Sequence, residues 1–113
     1  MILGIDVGAT WTRILLVDEA GKAARREKFR TDENPVATAA RLVEGWEFEA
    51  VGVGSIGPLD LKRGWATAAP NSPSRSFPLV DPLLRFGKPI YVANDAVAAA
   101  WGEYVLGGWA NTT

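Results

Sequence analysis

Apolar residues recur along the first third of the chain in short runs, not at helical spacing. Ile2 to Val7 reads as a buried strand, and Trp11 to Asp18 as a second one rich in β-branched and aliphatic residues. The few residues between them suit a hairpin. Glu19-Ala20-Gly21-Lys22 forms the next turn, with Gly21 supplying the dihedral that other residues resist. Ala23 to Arg30 follows as a third strand. Its run Arg25-Arg26-Glu27-Lys28 suits a sheet edge guarded by charge.

The period then changes. Asn34 is placed to cap a helix with Pro35 in its first position, and Val36, Ala40 and Val43 fall at helical spacing until Gly45 ends it. Glu49 to Ser55 is apolar enough for a central strand parallel to the first. Lys62-Arg63-Gly64 reads as a turn between two short extended pieces. Ala69 to Pro78 reads as a loop, because Pro70, Pro73 and Pro78 block regular structure. Leu79 to Phe86 suits a short helix and Pro89 to Ala93 a fifth strand. Asn94 to Leu106 has the best helical pattern, with Val97, Trp101 and Val105 on one face and Gly107-Gly108 as its stop. Three hairpin-linked strands followed by crossover units predict an α/β fold: a five-stranded mixed sheet with helices on both faces. The 113 residues are expected to form a single domain, 1–113, with no internal repeat or linker.

Composition narrows the chemistry. An apolar fraction of 48% argues against disorder, and a net charge of −1 from 12 basic and 13 acidic residues predicts no nucleic-acid footprint. With no Cys and no His, this sequence holds no disulfide, thiolate site, imidazole base or His-ligated zinc. A metal bound here is a hard, oxygen-ligated ion such as Mg²⁺ or Ca²⁺. No apolar run is as long as a membrane span, and Asp6 interrupts the N-terminal apolar stretch, so no membrane association and a cytoplasmic location are expected.

Four segments carry candidate chemistry. In Gly4-Ile5-Asp6-Val7-Gly8-Ala9-Thr10 a strand delivers one carboxylate to a turn of small residues. Exposed N–H groups in such a turn make an anion-binding nest, and Asp6 can hold Mg²⁺ directly or through water. An ordinary hairpin with a polar residue at its mouth reads the same way. In Asn94-Asp95-Ala96 either polar residue can simply cap the helix. The functional alternative makes Asp95 a general base, kept ionised by the helix dipole, and Asn94 a hydroxyl-binding group. Asn71, after Pro70, offers a donor and an acceptor to a polyol, or is a turn residue. Gly52-Val53-Gly54-Ser55-Ile56-Gly57 matches the dinucleotide fingerprint in spacing only. The Pro58-Leu59-Asp60 that follows suits a turn, whereas the fingerprint needs a helix.

Taken in this order the segments resemble the N-terminal domain of the ROK family of sugar kinases and repressors, within the ribonuclease H-like (actin-like ATPase) superfamily. Gly4 to Arg13 is similar to the family's first phosphate motif. Val51 to Pro58, Arg63-Gly64 and Ala69-Pro70-Asn71 are similar to its sugar-facing loops. Asn94-Asp95-Ala96, with Ala98 and Glu103, is similar to its catalytic segment. The resemblance implies an ATP-dependent sugar kinase acting on a hexose 6-hydroxyl, with ATP and Mg²⁺ as cofactors. Asp95 would be the catalytic base, and Asn71, Asn94 and Asp95 would bind the sugar. Gly8, Ala9 and Thr10 would face the γ-phosphate, and Asp6 would position the metal.

The sequence departs from the family pattern at Ala9, Trp11, Ala93 and Val97, which stand where Gly, Lys, Glu and Asn are frequent. Trp11 replaces a cation beside the phosphate turn. The adenosine site belongs to a C-terminal lobe of the family, whose first strand is expected near Asn111-Thr112-Thr113. Three forms of the protein follow: a lobe inactive alone, a homodimer that imitates the two-lobed arrangement through Trp65, Trp101 and Trp109, or a non-catalytic sugar- or nucleotide-binding module.

Overall fold

The structure, a computed structural model, describes residues 1–55, 59–60, 62, 64–66 and 76–93. Three antiparallel strands come first: β1 (Ile2–Val7), β2 (Trp11–Val17) and β3 (Ala23–Arg30). Helix α1 (Pro35–Leu42) leads into β4 (Ala50–Ser55). Three two-residue strands follow, β5 (Leu59–Asp60), β6 (Trp65–Ala66) and β7 (Phe77–Pro78). A 3₁₀ helix (Asp81–Phe86) and β8 (Ile90–Ala93) complete the described residues.

The main sheet has the order β3-β2-β1-β4-β8. β2 pairs antiparallel with β1 and β3, whereas β4 runs parallel to β1 and β8 parallel to β4. This is the five-stranded mixed sheet the hydrophobic pattern predicts, with charged β3 at one edge. The helix expected over 94–106 lies outside the described residues, as do Trp101 and Trp109.

Register divides the sheet into two faces, because successive side chains point to opposite sides. Leu3, Ile5 and Val7 lie beside Leu16, Ile14 and Thr12 of β2, and beside Val51, Val53 and Ser55 of β4. α1 packs on this face with Val36, Ala39 and Ala40, and Val43, Phe48, Leu79 and Leu83 close the core. Phe48 meets Phe86 edge to face at 5.3 Å between centroids. The other face carries Gly4 and Asp6 of β1, Arg13 and Leu15 of β2, and Gly52 and Gly54 of β4.

Local chemistry explains the connections, and in two places it differs from expectation. At the β2–β3 turn Asp18 Oδ1 accepts the N–H groups of Ala20 and Lys22, and Gly21 takes φ 85°. Asn34 occupies the cap position of α1, but its side chain makes no cap hydrogen bond. Asp32 stabilises the helix start instead: its carboxylate accepts the Asn34 N–H at 3.0 Å and the Thr38 hydroxyl at 2.6 Å. An anion in that place also opposes the positive end of the helix dipole.

The second difference is at Phe77–Pro78. The three prolines of 69–78 predict loop throughout, yet this pair forms a strand against Trp65–Ala66. It is the edge of a small sheet ordered β5-β6-β7. Proline is tolerated on an edge because its missing N–H deprives no neighbour of a bond. Phe77 is buried in the core, which supplies the driving force for the strand. The helix expected over 79–86 is the shorter 3₁₀ segment, stopped by Gly87 in the left-handed region at φ 64°.

Candidate functional site

The parallel strands β1, β4 and β8 end at one margin of the sheet. Asp6 is in register with Gly54, and Gly54 with Ala93. Ligand sites of open α/β sheets form at such carboxyl ends of strands. A hollow of about 200 Å³ opens here, lined by Asp6, Val7, Gly8, Trp11, Arg13, Gly54 and Ser55. Asp6 is half-buried in its wall, opposite Arg13 on the neighbouring strand.

The turn between β1 and β2 is held from three sides. The Gly8 N–H donates to the Trp11 carbonyl at 3.0 Å, closing the hairpin. Thr31, just past β3, donates its hydroxyl to the Gly8 carbonyl at 2.8 Å and its N–H to the Thr10 carbonyl at 2.9 Å. The Thr31 and Thr12 hydroxyls lie 2.9 Å apart, and both residues are buried. Gly8 has no alternative: a Cβ there would stand 2.8 Å from the Trp11 carbonyl oxygen, inside van der Waals contact.

These bonds use the turn's carbonyl groups. Among the described residues, no hydrogen bond takes up the N–H of Ala9 or Thr10. Ala9 is half-buried and Thr10 exposed. The turn therefore offers donors to an incoming acceptor while the Gly8 and Thr10 oxygens are tied back, the arrangement that favours an anion over a cation.

The charge around the hollow has one dominant sign. On the sheet face that carries Asp6, register places Arg13 of β2 beside Lys28 of β3, Leu15 beside Arg26 and Trp11 beside Arg30. The Trp11 ring lies 4.8 Å from Lys28 Nζ and 5.5 Å from Arg30 Cζ. Both distances fall within cation–π reach. Among the described residues, no cluster of three or more acidic side chains forms a metal cage.

Of the residues singled out in the sequence, Asp6, Gly8, Ala9 and Thr10 come together at this margin. Asn71, Asn94 and Asp95 lie outside the described residues. Ala93, which precedes Asn94 in the chain, ends β8 in register with Gly54. Sequence reasoning overlooked Thr31 and Lys28. Neither belongs to a motif, and only the β2–β3 pairing brings them to the turn. An alternation of cations at 26, 28 and 30 is the signal that could have found Lys28, since period-two spacing puts all three on one face.

Comparison with known proteins places this geometry. The chain is 65% identical over 104 residues to a glucokinase from Pyrobaculum calidifontis, matching 92% of this chain and 35% of that protein. It is 43% identical to a glucokinase from Aeropyrum pernix, over 98% of this chain and 38% of that protein. The crystal structure of a ROK family glucokinase from Streptomyces griseus in complex with glucose and AMPPNP superposes with a TM-score of 0.66 at 39% identity. That match covers 91% of this chain and 36% of the solved one. The chain thus spans about a third of the length of these relatives, and its fold is that of the actin-like ATPases. The ROK family model matches residues 2–113, and the chain belongs to the ROK family.

Proposed function

We propose that this chain builds the phosphate-facing and part of the sugar-facing wall of an ATP-dependent sugar kinase that phosphorylates the 6-hydroxyl of a hexose. The observation that carries the reading is the common margin. Asp6 and the anion-ready turn stand at the ends of parallel strands in register with Ala93, the residue that leads into Asn94-Asp95. The similarity to glucokinases, and to a ROK glucokinase crystallised with glucose and AMPPNP, supports the same assignment.

In this reading Asp95 accepts the proton of the attacking sugar hydroxyl. The hydroxyl oxygen forms the new bond to the γ-phosphorus as the bond to the β-bridging oxygen breaks, leaving ADP and the sugar phosphate. A carboxylate is a weak base, which suffices where the transition state is loose and positioning dominates. Asn71 and Asn94 hold other sugar hydroxyls. The N–H groups of Ala9 and Thr10 meet the γ-phosphate oxygens.

The donor set also fits a magnesium ion. Asp6 is a single hard oxygen ligand at the hollow, and Mg²⁺ commonly keeps most of its waters and takes one or two carboxylates. When bound, the ion would supply charge neutralisation on the phosphate oxygens. Contacts to the adenine ring and to the remaining sugar hydroxyls come from outside the residues assigned here.

The test is glucose-dependent ADP formation by the gene product and its Asp95→Asn variant, with glucose binding followed by calorimetry. Loss of a general base is expected to lower kcat by about 10²–10⁴. Asp95→Asn turnover equal to that of the parent protein would reject the assignment.

A further inference from the structure

Trp11 stands where the resemblance leads one to expect a lysine, directly after the phosphate-facing turn. Trp11 itself brings no positive charge to the turn. The structure shows charge of the same sign arriving from another strand. Lys28 and Arg30 of β3 both lie within cation–π reach of the Trp11 ring, at 4.8 and 5.5 Å. Arg30 is the cross-strand neighbour of Trp11, and Lys28 that of Arg13.

We propose that Trp11 is a positioning residue whose ring holds Lys28 and Arg30 at the phosphate turn, so that β3 supplies the cationic side of the phosphate-chain site. This rests on the kinase reading above and adds residues to it.

Three observations converge on the assignment. First, Trp11 is 38% exposed, so it lies at the surface instead of filling the core. A cation above an indole face is attracted by the ring quadrupole and keeps its remaining donors for a ligand. Second, β3 is fastened to the turn at this point. Thr31, adjacent to Arg30, bonds to the carbonyl groups of Gly8 and Thr10. Movement of Lys28 and Arg30 relative to the Ala9 and Thr10 N–H groups is thereby restricted. Third, Arg13 lines both the hollow at Asp6 and a second one of about 470 Å³ that Lys28 and Arg26 also line. Glu27 is the one acidic residue lining that second hollow, against the three cations Arg13, Arg26 and Lys28, so positive charge predominates from the strand margin outward over β2 and β3. A polyphosphate group seated on the turn projects its negative charge into that field, where a low-salt attraction is strongest.

The experiment compares the gene product with Lys28→Gln/Arg30→Gln, Trp11→Leu, and the double variant carrying Trp11→Lys in addition. Binding of ATP–Mg²⁺ and of inorganic tripolyphosphate is measured by calorimetry at two salt concentrations, together with KM and kcat. These side chains are exposed, so melting temperatures should stay close to that of the parent protein.

The double variant is expected to weaken binding of both probes by about tenfold and to flatten the salt dependence. KM for ATP should rise with little change in kcat. Trp11→Leu is expected to weaken binding by about threefold with all cations still present. Trp11→Lys should restore affinity to the double variant, by returning the charge to the turn itself. Unchanged affinity in either the double variant or Trp11→Leu overturns the proposal and leaves the kinase reading standing. Failure of the parent protein to bind either probe overturns the phosphate reading and this proposal with it. Weakening for ATP alone, with tripolyphosphate unaffected, also overturns it, since the cations would then recognise the nucleoside.

Discussion

Ile5 and Asp6 are neighbours in the chain and belong to different proteins in physical terms. Ile5 faces Ile14, Val53 and helix α1 in a sealed core. Asp6 faces Arg13 and the hollow at the strand margin. The same contrast runs along the sheet. One face of β1 is Leu3, Ile5 and Val7, and the other holds Gly4 and Asp6. One face of β4 is Val51 and Val53, the other Gly52 and Gly54. A strand alternates with period two, so at adjacent positions of β1 Ile5 serves the core and Asp6 the opposite face. The hollow at Asp6 therefore opens at the margin where the core face and its reverse meet, lined by Val7 and Ser55 from one and Asp6, Arg13 and Gly54 from the other.

That contrast can be broken most forcefully at Ile5. Ile5→Ala removes packing from a fully buried position and should cost about 2–5 kcal/mol in urea unfolding. Asp6→Asn, one residue on, should shift the unfolding midpoint far less while impairing phosphate binding. Comparable destabilisation by both would mean that the two faces are not divided as described.

Next in size is Gly8, where the two faces meet at the turn. Gly8→Ala places a Cβ against the Trp11 carbonyl and should cost about 1–3 kcal/mol, with phosphate binding lost as the hairpin end opens. Thermal melting and calorimetry on the same variant check both halves. Thr31→Val is gentler, since it keeps the shape and deletes the hydroxyl that bonds to Gly8 and Thr12. Its cost should be about 1–2 kcal/mol. Amide exchange at Gly8, whose N–H closes the hairpin on the Trp11 carbonyl, should quicken more than exchange in β4.

The smallest effect lies at the opposite end of the sheet. The Glu49 carboxylate accepts a hydrogen bond from the α-ammonium group of Met1, and this holds its pKa below the ordinary 4.5, against a smaller opposing effect of desolvation. A carboxyl whose folded pKa is depressed stabilises the fold above its unfolded pKa. The contribution is lost as pH falls from about 4.5 through the folded value. Both partners are exposed, so it should be under about 1 kcal/mol. The stability difference between the parent protein and Glu49→Gln should therefore hold from weakly acid to neutral pH and vanish in stronger acid. A difference that grew on acidification would contradict the assignment.

Much of this arrangement was legible before any coordinates, for reasons that differ by element. Apolar runs within 2–7, 11–18 and 49–55 announce the central strands to within a residue of their observed ends, because burial on the sheet leaves few other options. The Gly8 turn was legible because hairpin geometry selects small residues. Phe77–Pro78 was misread because proline weighs heavily in a local reading, whereas the burial of Phe77 decides its place through tertiary packing. Asn34 and Asp32 are both short polar residues ahead of α1, and hydrogen bonding, which the local sequence does not specify, gives the helix start to Asp32. Lys28 and Thr31 were invisible as site residues because cross-strand pairing, not sequence proximity, delivers them. The margin itself, in which Asp6, Gly54 and Ala93 lie level, is a property of register that no single segment announces.

That level margin limits how such a chain can change length. Adding or deleting one residue inside β1 would turn its carboxylate inward among aliphatic side chains and swing isoleucine out toward the hollow. The same slip in β4 or β8 would misalign the neighbouring strand ends. Gains and losses of residues are affordable only where pairing is already relaxed, as at the Asp18–Lys22 bend, whose tip points away from the hollow.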